Sequence, residues 1–120
     1  KKVLIVDDNK LNLKVAEKLL KPYKVSCTLL TSGRECINDI ESGNYYDLIL
    51  LDQMMPEMDG VETLNKLKEN KDFNTPVVVL TADAIVGVKE KYLSSGFNDY
   101  LSKPIDVEEL NKIMKKYLEK

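Results

Sequence analysis

Polar side chains follow four separate apolar runs of the sequence, and their types are those that phosphoryl chemistry uses. Three are carboxylates, one is a hydroxyl and one is an ammonium: Asp7, Asp8, Asp52, Thr81 and Lys103. Three carboxylates brought together repel one another, and Mg²⁺, which prefers oxygen ligands, relieves that repulsion. An aspartate can attack phosphorus to form an acyl phosphate, while a hydroxyl and an ammonium hold other phosphoryl oxygens. If the fold brings them together, the set is complete for phosphoryl transfer to Asp52.

Short apolar runs alternate along the chain with segments of helical periodicity, and these elements must position the five residues. The predicted strands are residues 2–6, 25–30, 47–51, 76–80 and 97–101, and the predicted helices are residues 10–21, 33–42, 61–70, 84–95 and a last helix capped by Asp106. Such alternation predicts an α/β fold with a parallel sheet and right-handed crossovers. Ligands of open parallel sheets bind beyond the carboxyl ends of the strands. The pattern therefore places all five residues at one edge of the sheet.

Each of these residues also has an ordinary structural interpretation. A strand-end aspartate such as Asp7, Asp8 or Asp52 often caps the following helix. Thr81 fits a strand or a cap, and a lone Lys103 fits a solvated surface. Their joint occurrence at successive strand ends favours the functional interpretation.

Composition excludes several classes of protein. The 120 residues, 43% hydrophobic and 32% charged, are typical of one globular domain over residues 1–120. The net charge of −2 argues against direct binding of nucleic acid, and no apolar run approaches the ~20 residues of a membrane span. The chain has no histidine, which excludes Ser-His and Cys-His nucleophile pairs. Cys27 and Cys36 are predicted to be reduced core residues of a cytoplasmic chain.

In their order and spacing these residues resemble the receiver domain of two-component response regulators, over the whole chain. The matching segments are Asp7-Asp8, Asp52–Gly60, Thr81-Ala82 and Lys103-Pro104. The resemblance implies one flavodoxin-like, doubly wound receiver domain with five helices and a five-stranded parallel sheet of order 2-1-3-4-5. It also implies a phosphoacceptor switch of a phosphorelay. The phosphoryl group would come from the phosphohistidine of a histidine kinase or a histidine phosphotransfer domain.

The resemblance assigns the metal ligands as well. Asp52 corresponds to the phosphoacceptor, and Asp8 and Asp52 correspond to carboxylate ligands of Mg²⁺, with Mn²⁺ as an alternative ion. Asp7 would bind through water or from a second layer of contacts. The backbone carbonyl of Met54, two residues past Asp52, would be the remaining protein ligand.

Four further residues match the parts of the family that respond to phosphorylation. Thr81 corresponds to the switch hydroxyl, and Lys103 to the lysine that contacts the phosphoryl group. Tyr100 stands where the family carries its switch aromatic, and Pro104 matches a proline that follows a cis peptide bond. The implied switch draws Thr81 towards the phosphoryl group and turns Tyr100 inward. The face of the fourth helix, fifth strand and fifth helix changes as a result.

The origin of the chain is suggested by a local pattern. Asp7–Asn9 with Asn12 and Leu13 resembles receivers attached to hybrid histidine kinases. The chain ends at Lys120, directly after the last predicted helix, so we expect a receiver excised from such a kinase or a stand-alone receiver. The parent chain is either soluble or anchored in a membrane through other segments, and a weak homodimer of the receiver stays open.

Two functions of other classes also stay open. A small Mg²⁺-dependent phosphatase of the haloacid dehalogenase type forms an aspartyl phosphate too, but it carries Asp-x-Asp where this chain has Asp7-Asp8-Asn9. A receiver-like interaction module that accepts no phosphate lacks one of the acids, the hydroxyl or the lysine, and none is missing here. Whether the domain is an enzyme is left undecided, since the resemblance implies only that it catalyses its own phosphorylation and dephosphorylation.

The first predicted helix has a wider apolar arc than one buried stripe needs. At about 100° per residue, Leu11, Val15 and Leu19 lie within about 80° of one another, with Leu13 at the far edge of the arc. In receivers of this type, the first helix and the loop after the fifth strand resemble a docking surface for kinase or phosphotransfer domains. We therefore predict an apolar docking patch with these members: Leu13, Pro104 and Ile105. The alternative is that Leu13 is an isolated surface leucine without a function.

Two side chains are expected to control the lifetime of the phosphoryl group. In the family, the positions two past the phosphoacceptor and two past the switch hydroxyl border the path of the attacking water. Here they are Met54 and Asp83. Methionine is bulky and cannot orient water, whereas Asp83 adds charge and is able to bind it. We expect Met54 to dominate and the phosphoryl group to be long-lived.

Overall fold

The computed structural model describes residues 1–82 and 86–118 of the chain. Within them, five strands form one parallel sheet of order β2-β1-β3-β4-β5, which confirms the expected fold. The strands are β1 (Lys2–Val6), β2 (Ser26–Leu30), β3 (Leu48–Asp52), β4 (Val77–Thr81) and β5 (Asp99–Ser102). The helices are α1 (Lys10–Leu20), α2 (Gly33–Glu41), α3 (Gly60–Lys68), α4 (Val88–Ser94) and α5 (Val107–Leu118), with a 3₁₀ turn at Lys21–Tyr23. No helix in this part of the chain is long and apolar enough to cross a membrane.

Two hydrophobic cores, one on each face of the sheet, hold the helices in place. Because the side chains of a strand alternate between its faces, Val3 and Ile5 enter one core while Leu4 and Val6 enter the other. Helices α1 and α5 cover the first face, and α2, α3 and α4 cover the second. Strands β3 and β4 are buried along their whole length, as expected of central strands covered on both faces.

Helix α4 is shorter than the sequence predicts. Residues 84–95 carry the predicted helix, but the helical part begins at Val88, after Gly87 with a φ of 88°. A positive φ does not fit a right-handed helix, so Gly87 sets the beginning. The predicted start at Ala84 lies outside the described residues, and so does Asp83.

The last three strands begin one or two residues later than predicted. Strand β5 starts at Asp99 instead of Phe97, because the chain first turns at Gly96, where φ is 112°. Strands β3 and β4 each extend one residue further than predicted. Asp52 and Thr81 are therefore the last residues of buried strands and not the first residues of loops.

The buried face of α1 differs from the predicted one, and the prediction for Leu13 was wrong. Leu13, Ala16 and Leu20 are buried in the core that α1 shares with α5, and Leu13 is only 4% exposed. Leu11 and Val15, on another part of the same apolar arc, are 70% and 49% exposed. When the apolar arc of a helix is wider than its buried face, the sequence pattern cannot determine which part of the arc packs on the sheet. Leu13 is a core residue and not a member of a docking patch.

The two cysteines occupy different environments. Both are free thiols, as predicted. Cys36 lies in the core beneath α2, but Cys27 is only half-buried. Cys27 belongs to β2, which is at the edge of the sheet and pairs with β1 alone, so the prediction of a core position was wrong for this residue.

Candidate functional site

The carboxyl ends of β1, β3 and β5 bring three charged side chains into contact. Val6 pairs with Leu51, so Asp7 and Asp52, the next residues, are neighbours. Both are buried. The Nζ of Lys103, just past β5, lies 2.8 Å from Asp7 Oδ2 and 2.8 Å from Asp52 Oδ1. The ammonium therefore links the two buried carboxylates.

The acidic pair after β1 does not cap α1. Asn9 is the cap, and its Oδ1 accepts hydrogen bonds from the backbone N–H of Leu11 at 2.9 Å and of Asn12 at 3.3 Å. The backbone N–H of Asn9 donates to Asp7 Oδ1 at 2.9 Å, which orients that carboxylate. Asp8 is exposed. Asp7 and Asp8 are therefore not used to cap α1, and their carboxylates are available to the site.

The loop after Asp52 turns back closely on the strand that it leaves. The Gly60 N–H donates to the Gln53 carbonyl oxygen at 2.9 Å, and Gln53 Oε1 accepts from the Val61 N–H at 2.9 Å. A Cβ at Gly60 would lie 2.8 Å from the backbone oxygen of Asp52. Gln53 therefore braces this loop. Sequence reasoning missed Gln53, because nothing in its spacing distinguishes it.

Lys103 and Thr81 come together as predicted. Thr81 is buried at the end of β4 and pairs with Ser102. The backbone N–H of Lys103 donates to the Thr81 carbonyl oxygen at 2.9 Å, so the loop after β5 is fastened to the end of β4. The Lys103–Pro104 peptide bond is cis, as the resemblance implies.

The cluster has unusual electrostatics. Burial, and then the charges of Asp7 and Asp8, raise the pKa of Asp52 to about 6 against the opposing hydrogen bond and charge of Lys103. Burial by itself would lower the pKa of Lys103, but its hydrogen bonds and charge interactions with Asp52 and Asp7 raise it. One ammonium thus faces several carboxylates, an arrangement that favours a further cation.

The carboxylates fit a hard divalent cation. Asp7, Asp8 and Asp52 each offer one oxygen, and these oxygens all lie within 4.8 Å of one another. An all-oxygen set of this kind suits Mg²⁺ or Mn²⁺. The Met54 carbonyl as a further ligand stays a prediction.

A groove of about 200 Å³ adjoins the acidic cluster. Its lining includes the charged residues Asp7 and Lys103 and the apolar residues Val15, Pro104 and Ile105. The structure thus brings Pro104 and Ile105 of the predicted patch to the site. Val15, and not Leu13, is the residue of α1 that lies beside Pro104 and Ile105 in the groove lining.

Tyr100 lies on β5 and faces the side of the sheet opposite the groove. Its side chain is half-buried and packs against the core beneath α2, α3 and α4. Its ring stacks on that of Tyr92 in α4, with centroids 6.4 Å apart. Tyr100 therefore joins β5 to α4, on the face where the switch aromatic is expected.

Comparison with known proteins identifies the family. The response regulator receiver domain family matches residues 3–115. The chain belongs to this family. It is a receiver domain of the two-component phosphorelay type, and the phosphatase alternative is set aside.

One curated relative of this receiver is the signal transduction histidine-protein kinase BarA of Escherichia coli. The two are 39% identical over 118 residues, which is 96% of this receiver and 12% of BarA. The receiver thus spans a small part of the length of the curated relatives it matches.

Two solved structures are similar to this receiver over almost its whole length. The receiver domain of the Pseudomonas aeruginosa sensor histidine kinase PA1611, with a magnesium ion in its active-site cleft, is 32% identical with a TM-score of 0.86, covering 98% of this chain and 96% of that one. The complex of the Saccharomyces cerevisiae histidine phosphotransfer protein Ypd1 with the receiver of Ssk1 matches at 31% identity and a TM-score of 0.82, covering 97% and 87%. Receiver domains thus pair with histidine phosphotransfer proteins, as in that complex.

Proposed function

We propose that this receiver accepts a phosphoryl group on Asp52. The observation that carries the proposal is the buried Asp52 carboxylate, held 2.8 Å from the Lys103 ammonium and within 4.8 Å of the oxygens of Asp7 and Asp8. A carboxylate oxygen of Asp52 attacks phosphorus, the bond between phosphorus and the donor atom breaks, and the donor leaves with the electron pair of that bond. The product is an aspartyl phosphate.

The chain's own residues position this reaction. Lys103 is already beside the Asp52 oxygen and neutralises charge on the incoming phosphoryl group. The Thr81 hydroxyl, at the end of the strand next to that of Asp52, would hold another phosphoryl oxygen. Phosphoryl transfer depends mainly on positioning and charge stabilisation, and these two residues would supply part of both.

Mg²⁺ would be held by Asp8, Asp52 and the Met54 carbonyl. Asp7 would contact the ion through water or would contact its ligands. The ion would neutralise the carboxylates and the charge that develops on the phosphoryl oxygens. The magnesium ion in the PA1611 receiver supports this assignment.

Labelling with a small donor tests the proposal. Acetyl phosphate with Mg²⁺ should add one phosphoryl mass to the wild type, and peptide mapping should place it on Asp52. Asp52→Asn should take up none, whereas Asp72→Asn, which removes an exposed carboxylate, should label normally. Equal labelling of Asp52→Asn and wild type would exclude Asp52 as the acceptor, and an unlabelled wild type would favour the non-phosphorylated interaction module.

We further propose that the physiological donor is a phosphohistidine of a partner protein that docks on the groove of Val15, Pro104 and Ile105. The donor histidine must belong to another chain or segment, because these 120 residues contain none. The groove leads to Asp7 and Lys103, so a partner bound there reaches the acceptor. The pairing of Ypd1 with the Ssk1 receiver supports this kind of partner.

The parent chain is proposed to be a hybrid histidine kinase with this receiver in the cytoplasm. The similarity to BarA over 12% of its length supports a receiver within a larger kinase. The reading frame around these residues tests this: a histidine kinase core is expected, and a DNA-binding domain directly following the receiver would contradict it.

A further inference from the structure

The groove beside the phosphoacceptor site is apolar except for three side chains. Its polar lining residues are Asp7, Asn12 and Lys103. Small-ligand sites are typically apolar cavities in which a few polar groups fix the orientation of the ligand. The groove therefore fits a small ligand that is apolar on its faces and polar at one edge. The apolar lining comes from α1, two strands and the loop after β5: Ile5, Val15, Ala16, Leu80, Pro104 and Ile105.

Two of the three polar side chains are already engaged. The Lys103 ammonium lies 2.8 Å from oxygens of Asp7 and Asp52, and Asp7 also accepts a hydrogen bond from the backbone N–H of Asn9. Asn12 is different. It is half-buried, and its side-chain amide makes no hydrogen bond to any residue in the described part of the chain. The Asn12 amide is thus the polar group of the groove that is available to a ligand.

Helix α1 does not need the Asn12 side chain. The cap is Asn9, whose Oδ1 accepts a hydrogen bond from the backbone N–H of Asn12 at 3.3 Å, so Asn12 takes part in the cap through its backbone alone. Asparagine is also a weaker helix former than alanine, because its side chain competes for backbone hydrogen bonds. A ligand in the groove therefore explains an amide at this position better than the helix does.

We infer that the groove holds the imidazole ring of the phosphohistidine donor and that Asn12 Oδ1 accepts a hydrogen bond from that ring. The inference rests on the proposed function, in which such a donor docks at this groove. The bond comes from the ring nitrogen that carries no phosphoryl group, and it favours the protonated ring. When the Asp52 carboxylate attacks, the phosphorus–nitrogen bond breaks and its electron pair stays on that nitrogen. The other nitrogen keeps its proton, so the ring leaves as neutral imidazole.

Two small phosphodonors test this contact, because N-phosphoimidazole carries the ring and acetyl phosphate does not. Labelling of the whole chain with Mg²⁺ is followed by mass, and the rate with N-phosphoimidazole is divided by the rate with acetyl phosphate. Asn12→Ala should lower this ratio about tenfold, since a hydrogen bond to a charged group is lost. Asn12→Asp keeps an acceptor oxygen and should keep the ratio at or above that of wild type.

Two further variants serve as controls. Asn65→Ala, at an exposed position on α3, should leave the ratio unchanged. Asn12→Leu, which is similar in size to asparagine but has no acceptor, should lower the ratio as Asn12→Ala does. It replaces Asn12→Ala in the comparison if that variant does not fold.

The outcomes separate the inference from the proposed function. An unchanged ratio in Asn12→Ala would overturn the inference, and so would an equal fall in Asn12→Ala and Asn12→Asp, because the acceptor oxygen would then not matter. Wild type that is labelled by acetyl phosphate alone would also overturn it, since the groove would not accept the ring. If neither donor labels Asp52 in the wild type, the proposed function fails and the inference fails with it.

Discussion

At the residue scale, Asp52 meets two opposing requirements. Its burial excludes water, which favours a reactive carboxylate with fixed partners, but burial also raises its pKa to about 6. Lys103, at 2.8 Å, opposes that rise and keeps the carboxylate ionised at neutral pH. Asp52 is therefore ionised and able to act as a nucleophile at neutral pH, but its buried charge lowers the free energy of unfolding.

Asp52→Asn should therefore stabilise the metal-free protein at neutral pH. Aspartate in an unfolded chain has a pKa near 4, below the folded value of about 6. Because the folded state holds the proton more tightly, the stability that protonated Asp52 contributes is fully present below about pH 4 and is lost as the pH rises through about 6. Asparagine stays neutral, so the variant should gain on the order of 1 kcal/mol at pH 7.5 and little at pH 4.

Urea unfolding in the presence of EDTA at both pH values measures this difference. Asp72→Asn, an exposed site, should behave like wild type. A variant that is less stable than wild type at pH 7.5 would show that Asp52 is not destabilised by its burial.

Met54 provides a second prediction at this scale. Its side chain is 74% exposed two residues past Asp52, and a thioether cannot orient water as an amide can. Met54→Asn should lose the phosphoryl group severalfold faster than wild type, measured by decay of the phosphorylated mass after removal of acetyl phosphate. Tyr45→Asn, at an exposed position before β3, is the control and should not change the rate. Slower loss from Met54→Asn would contradict the prediction that the Met54 side chain prolongs the lifetime of the phosphoryl group.

Gly60 provides a third prediction. A Cβ there would lie 2.8 Å from the Asp52 backbone oxygen and 2.9 Å from Gln53 Oε1, so Gly60→Ala must displace the acceptor strand or the brace. We expect a loss of about 1–3 kcal/mol in the free energy of unfolding together with slower labelling. Gly43→Ala, which meets nothing within 4 Å but has a φ of 101°, measures backbone strain alone. Normal labelling of a stable Gly60→Ala would show that the loop tolerates the side chain.

At the scale of elements, α1 uses one side to pack against the core and another side to line the groove. One side holds Leu13, Ala16 and Leu20 in the core, while Val15 lines the groove beside Lys103. The helix begins at the Asn9 cap, directly after the acidic pair, so its first turns stand next to the acceptor. A partner seated along this helix is therefore close to Asp52.

Val15→Asp should slow transfer from a phosphohistidine-containing partner by about tenfold or more, because a charge would be buried at the centre of the contact. Labelling by acetyl phosphate should stay normal. Leu93→Asp, at an exposed apolar position on α4 on the opposite face of the sheet, should leave both rates unchanged. Unchanged transfer to a folded Val15→Asp would exclude the groove. Leu13→Asp is not a test of docking, since it places a charge in the core.

At the scale of the whole molecule, parallel strands gather the acids from distant parts of the chain at one edge of the sheet. The repulsion among them weakens the fold until a cation is bound. Mg²⁺ should therefore stabilise the receiver, and at about ten times its dissociation constant it should add about 1.4 kcal/mol.

Thermal unfolding with Mg²⁺ and with EDTA measures this stabilisation, which should appear as a rise in melting temperature of about 6 °C. Asp8→Asn removes an exposed carboxylate and should lose most of the rise while folding normally. Asp72→Asn should keep it. An equal rise in Asp8→Asn would show that Mg²⁺ acts elsewhere on the protein.

The sequence by itself determined the order of strands and helices and which residues end the strands. The apolar runs of β1, β3 and β4 are continuous, and a parallel sheet aligns their carboxyl ends, so the meeting of Asp7, Asp52 and Lys103 followed from topology. The capping role of Ser32, whose Oγ accepts from the Glu35 N–H at 3.1 Å, was also predictable, because caps depend on neighbours in sequence.

Only the tertiary structure decided which face of α1 is buried. Leu11, Leu13 and Val15 are equally apolar, and the arc they share is wider than the contact with the sheet. The residues of α1 that are buried share a core with α5 and with one face of the sheet, and the local periodicity does not specify these tertiary contacts. The lysines at positions 10, 14 and 18 lie on one flank of Leu11, within about 100° of it around the helix, and were a local sign of the solvent side. The bracing role of Gln53 and the stack of Tyr92 on Tyr100 are likewise tertiary, because each joins segments whose distance in space is set by the packing of the layers and not by their spacing in the chain.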